Sequence, residues 1–154
     1  MNTRSYEAAL KSIERIAKPS AQIMEAKQKI LFQLGTQSFA NANFEQALQY
    51  LNQSIAIGQY NRQTKADAYY WCGESYYRLN RMMEAARDFN AYLQLTTQPN
   101  NEMYALANYN LGYIAFHRKD YTQASNYFQK YIQLEKAKTE QRLQMPTTVS
   151  ETVI

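Results

Sequence analysis

The chain has 154 residues, 45% of them apolar, and a net charge of +4 from 17 Lys and Arg against 13 Asp and Glu, which bounds it to one domain or little more and excludes outright disorder. It holds 14 Tyr and 6 Phe but only 4 Gly, 3 Pro, 1 Cys, 1 His and 1 Trp: too few turn formers for an all-β sandwich or barrel, too few cysteines for an intrachain disulfide, and too few His and Cys for a zinc cage. The charges are scattered, and the densest basic triplet, His117-Arg118-Lys119, is followed at once by Asp120, so solvated surface is favoured over a nucleic-acid stripe.

In chain order the apolar spacing predicts helices near 4–17, 20–40, 43–57, 63–78, 81–96, 100–117 and 120–141, joined by short loops. The first 17 residues alternate charged and apolar positions, unlike a signal-peptide core. Pro19 stands where the second helix starts, and Pro99 where the sixth does, positions that do not need the missing N–H. Asn43 with Gln46, and Asp120 with Gln123, place an N-cap acceptor three residues before an amide that can answer it. Gly58 is placed to end the third helix. Leu79-Asn80-Arg81 marks the break between the fourth and fifth. No apolar run approaches the ~18–20 residues of a membrane span.

These helices repeat. Gly35, Gly73 and Gly112 follow one another in steps of 38 and 39, and Ala47, Ala85 and Ala124 keep the same steps. So do Leu51, Phe89 and Phe128, and Phe44, Met82 and Tyr121. Tyr6-Glu7-Ala8-Ala9-Leu10 matches Phe44-Glu45-Gln46-Ala47-Leu48, so the chain opens on the second half of a repeat. The expected organisation is a leading second helix at 4–17, repeats at 20–61, 62–99 and 100–141, and a tail or new repeat at 142–154. A mid-helix glycine costs about 1 kcal/mol relative to alanine, so close approach of the partner helix is expected at each one. The alanines are read as the matching small residues, with the large residues four further on filling the space between successive hairpins.

Leu31…Leu34-Gly35…Ser38 with Ala47…Leu51, Tyr69…Cys72-Gly73…Tyr76 with Ala85…Phe89, and Asn108…Leu111-Gly112…Ala115 with Ala124…Phe128 resemble the tetratricopeptide repeat family. The resemblance covers about residues 4 to 141. It is looser where Asn108 replaces a large residue, and where Ser38 and Ala115 replace an aromatic. It implies an all-α, right-handed superhelical solenoid of antiparallel helix hairpins. The period is longer than the family's usual one of about 34 residues. The excess lies between the second helix of one repeat and the first of the next, as in long-period arrays of bacterial cell-envelope proteins.

In that family the first helix of each repeat lines a concave, partner-binding face. The resemblance therefore assigns Phe32, Phe39, Tyr70, Trp71, Glu74, Tyr77, Arg78, Tyr109, Tyr113 and Phe116 to partner contact, with Lys29, Thr36, Asp67, Leu106, Asn110 and His117 beside them. Glu74 and Arg78 are also spaced as an i,i+4 ion pair. The Lys and Asn clamp that some members use on a carboxyl terminus is absent from Phe32, Tyr70, Tyr109, Thr36, Glu74 and Tyr113. Cys72 falls on a packed position and His117 at a helix end, so neither reads as catalytic. No phosphate loop or metal spacing is present, and no cofactor is expected.

The leading expectation is a non-catalytic scaffold for a protein or peptide. The alternative is a spacer that stacks other domains or associates end to end. Val149 and Val153 hint at a further helix, which suggests a piece of a longer array. The expected compartment is the cytoplasm, or a bacterial periplasm or envelope if a targeting segment lies upstream.

Overall fold

A computed structural model describes residues 2–99 and 101–144, and the hinted helix at Val149 and Val153 lies outside them. The described residues form helices α1 (Thr3–Glu14), α2 (Ala21–Ala40), α3 (Phe44–Ile57), α4 (Arg62–Arg78), α5 (Met82–Leu95), α6 (Glu102–His117) and α7 (Tyr121–Gln144), with no strand among them. α1 stops short of its expected end, at Glu14. α7 runs beyond its expected end, through a stretch of Lys, Glu, Gln, Arg and Leu that favours helix.

Side-chain oxygens cap the helices as the sequence suggested. Asn43 Oδ1 accepts from the Gln46 N–H at 3.4 Å, and Asp120 Oδ1 from the Gln123 N–H at 3.2 Å. Ser20, Asn61 and Asn101 cap α2, α4 and α6 in the same way. Gly58 ends α3 at φ 91°, which only glycine adopts without strain.

The α2–α3, α4–α5 and α6–α7 turns share one backbone solution. Ala42, Asn80 and Lys119 all lie in the left-handed region, with φ of 60°, 60° and 65°. Around each, two hydrogen bonds close the preceding helix. At the first turn the Ala42 N–H donates to the Phe39 carbonyl and the Asn43 N–H to the Ser38 carbonyl. The same pairs recur as Asn80 to Tyr77 with Arg81 to Tyr76, and as Lys119 to Phe116 with Asp120 to Ala115. This is the Schellman arrangement. Its last residue also flanks the start of the next helix, so each hairpin reverses within a very short connection.

The molecule divides into two compact units, residues 1–99 and 100–154. In the first, each of α1 to α4 packs on the next helix, and α2 also meets α4. Its core is Leu31, Leu34, Leu48, Leu51, Tyr70, Cys72, Phe89 and Tyr92. In the second, α6 packs along α7.

Each mid-helix glycine is a seat for a large residue of its own hairpin. A Cβ on Gly35 would lie 2.6 Å from Leu51 Cγ. One on Gly73 or Gly112 would lie 2.8 Å from the ring of Phe89 or Phe128. These large residues therefore fill the inside of a hairpin, not the space between hairpins as the sequence suggested. The small residues Ala47, Ala85 and Ala124 are buried beside them and let the second helix come close enough to do this.

Polar side chains hold the longer connections. Gln28 is fully buried. Its Nε2 donates to the Gly58 carbonyl at 3.0 Å, and its Oε1 accepts from the Asn61 N–H at 2.9 Å. Ser54 Oγ donates to the Gln28 carbonyl at 2.8 Å. At the end of α5, Gln63 Oε1 accepts from the Thr97 N–H at 2.8 Å, and Arg62 Nε donates to the Leu95 carbonyl at 3.0 Å. The extra length of the period is thus tied down by side chains near the start of the first helices.

Candidate functional site

The aromatic residues assigned to partner contact fall into two groups, one in each unit. In the first unit Phe39 of α2 is the centre. Its ring meets Trp71 edge-on at 5.0 Å between centroids and Phe44 at 5.2 Å. The Arg78 guanidinium lies over Phe39 at 5.3 Å and over Phe44 at 5.9 Å, within cation–π reach. Trp71 and Phe39 are half-buried and Arg78 is exposed. Together they present an aromatic floor with a fixed cation at its edge. Phe44, read from sequence only as a repeat position, belongs to this group. Its place at the start of α3, directly after the tight turn, brings it back over Phe39.

Tyr70 is different. It is 3% exposed, with its ring packed against Trp71, Phe89 and Tyr92 at 5.2, 5.7 and 5.4 Å. Its hydroxyl donates to Glu74 Oε1 at 3.0 Å. Tyr70 is therefore core, and it serves the face indirectly by setting Trp71 and Glu74. Phe32, Glu74 and Tyr77 are half-buried.

The second unit is more open. Leu106, Tyr109, Tyr113 and Phe116 follow one stripe of α6, and all are exposed. Tyr109 is 43% and Phe116 50% accessible. The opposite side of the helix, through Ala105, Asn108, Leu111, Gly112 and Ala115, is buried. Tyr109 leans on Phe128 and Tyr131 at 5.7 and 5.2 Å. Phe116 meets Tyr121 at 5.6 Å, and Tyr113 meets His117 at 4.4 Å. The rings are thus held in place by packing yet remain exposed to solvent. Exposed Glu102 stands one turn before the stripe, and His117, Arg118 and Lys119 close its other end.

Cys72 is fully buried, with Sγ 3.9 Å from Asn52 Oδ1. Burial and the nearby Asp88 push its thiol far above the ordinary range, so it is not primed as a nucleophile. Among the described residues no group of three His, Cys, Asp or Glu could hold a metal ion, and no helix is long and apolar enough to cross a membrane.

Residues 106–135, spanning most of α6 and part of α7, match the family model described as Tetratricopeptide repeat. No curated protein matches the chain. Among solved structures it is similar to "Crystal structure of MamA", with a TM-score of 0.64 and 19% identity over 90% of this chain and 81% of that one. "MamA 41-end from Desulfovibrio magneticus RS-1" matches at a TM-score of 0.41 and 14% identity, over 88% of this chain and 96% of that one. Residues 106–135 of α6 and α7 thus match a tetratricopeptide repeat, and the chain shares the helix-hairpin fold of the MamA structure.

Proposed function

We propose that the protein is a non-catalytic scaffold that binds a protein or peptide segment through its first-helix aromatic residues. The observation that carries this reading is the exposed stripe Leu106, Tyr109, Tyr113 and Phe116 on α6. Aromatic rings that are exposed on a surface yet held by neighbouring rings offer contact area at low entropic cost. Such a stripe suits an apolar or proline-rich segment. The cluster of Phe39, Trp71 and Arg78 is a second contact point of the same kind.

The test is capture of partners from a lysate of the source organism. Tyr113→Ala with Phe116→Ala should abolish capture while leaving the circular-dichroism melt unchanged, because both rings are exposed. Recovery of the same partners by this double variant would refute the assignment. Tyr70→Ala is unsuitable as a probe, since it opens the core.

The second reading, a spacer that associates end to end, is favoured by one observation. Ile132 on α7 is 60% exposed, and Phe128 and Tyr131 are half-buried, whereas their counterparts Phe89 and Tyr92 on α5 are fully buried. Light scattering across concentration separates the two readings. A mass that rises with concentration and is held at the monomer by Ile132→Glu supports the spacer, and a constant mass opposes it.

A further inference from the structure

Asp88 on α5 is 2% exposed, yet its hydrogen bonds come from its own neighbour. Arg87 Nε donates to Oδ1 at 3.0 Å and Nη2 to Oδ2 at 3.5 Å. Successive residues of a helix do not face each other. Arg87 must fold back along α5 to reach, and its side chain stays 64% exposed. In the same position its guanidinium lies 5.8 Å from the Tyr76 ring. An ionised carboxylate offers about four acceptor positions, and Arg87 occupies two of them.

Beside this carboxylate lies a cleft of about 280 Å³, lined by Asn52, Ile55, Tyr69, Arg87, Asp88 and Ala91. The repeat does not demand an acid here. The same register holds Tyr50 in α3 and Tyr127 in α7, and Arg87 corresponds to Gln49 and Asn126. The buried acid and its improvised counter-ion belong to this hairpin alone. Burial also raises the affinity of the Asp88 carboxyl for a proton, against the opposing pull of Arg87.

We propose that this cleft receives a cationic side chain of a partner, a lysine ammonium or an arginine guanidinium. Asp88 is the counter-ion, and Ile55 and Ala91 flank the alkyl stem. The Tyr69 ring and the Asn52 amide wall the head group, and Arg87 releases the carboxylate as the guest enters while keeping its place beside Tyr76. The site uses none of the aromatic residues of the peptide face, so it stands or falls separately from that reading.

The experiment is an NMR titration of the full chain with n-butylammonium, with butylguanidinium and, as the uncharged control, with 1-butanol. Both cations should produce saturable shifts at the amides of Asn52, Tyr69 and Ala91, and butanol none. Asp88→Asn should weaken binding at least about tenfold, since it removes a charge-assisted partner. Arg87→Gln should tighten it, because the internal competitor is gone. Absence of saturable shifts, equal response to butanol, or an unchanged titration in Asp88→Asn overturns the proposal. Should Asp88→Asn fail to fold, the Arg87→Gln arm decides: weaker binding there overturns it equally.

Discussion

At Gly73 two effects of a Gly→Ala exchange oppose each other. Alanine favours the helix by about 1 kcal/mol. Its methyl group would also sit 2.8 Å from the ring of Phe89, which is fully buried and has nowhere to go; overpacking of this kind costs about 1–3 kcal/mol. Gly73→Ala should therefore lower stability, measured by urea unfolding. Gly112→Ala makes the same clash with Phe128, but that ring is half-buried and can turn aside. Its loss should be smaller than that of Gly73→Ala, and equal losses would contradict this account. Asp88 gives a residue-level prediction in pH. Burial raises its carboxyl in the folded state, so the native chain holds its proton to higher pH than the unfolded chain does. Stability from this group is present below the ordinary aspartate range and is lost as pH rises through the raised value. Asp88→Asn cannot lose it. The stability of Asp88→Asn relative to the parent should rise across that window and then level off, as read from urea midpoints in a pH series.

The helices are set by local chemistry at their ends and by packing along their lengths. Caps at Asn43 and Asp120 were readable because the acceptor and the answering amide are three residues apart. The shared turn was not readable, because its left-handed position carries Ala42, Asn80 and Lys119 rather than glycine. Only the tight reversal imposed by the hairpins places those side chains there. An L-residue in this region costs roughly 1–2 kcal/mol, which glycine relieves while adding unfolded-chain entropy. Ala42→Gly should stabilise the chain by up to about 1 kcal/mol, or about 2–4 °C in melting temperature. Asn80→Gly should gain less, since Asn tolerates this conformation better than Ala does. A melting temperature lowered by Ala42→Gly would show that the turn carries no strain.

Across the whole chain burial is uneven. Ala85, Phe89, Tyr92, Cys72 and Leu51 have no accessible surface, whereas α1 holds no buried residue and α7 only Ala124. Beyond Glu135 every described residue is exposed. Local opening should follow the same gradient. Amide hydrogen exchange should be slowest in the centres of α4 and α5 and fastest in α1 and in α7 after Glu135. Protection of α1 equal to that of α4 would contradict this. The same distribution explains why the binding residues were only partly legible. Tyr70 and Tyr109 hold one register, a single period apart. Yet Tyr70 is enclosed by Trp71, Phe89 and Tyr92, and Tyr109 stands open beside Phe128 and Tyr131.

The composition and the near-constant step of the repeat sufficed for the helical class, the hairpin pattern and the placement of glycines at helix contacts. These are periodic properties, and a period is visible along one dimension. Which aromatic rings face solvent, which large residue seats on which glycine, and that Asp88 is buried beside a cleft with Arg87 as its counter-ion were decided by tertiary structure alone. Burial and partnership depend on what residues from other helices occupy the same space, and one register can hold the same residue type in different surroundings.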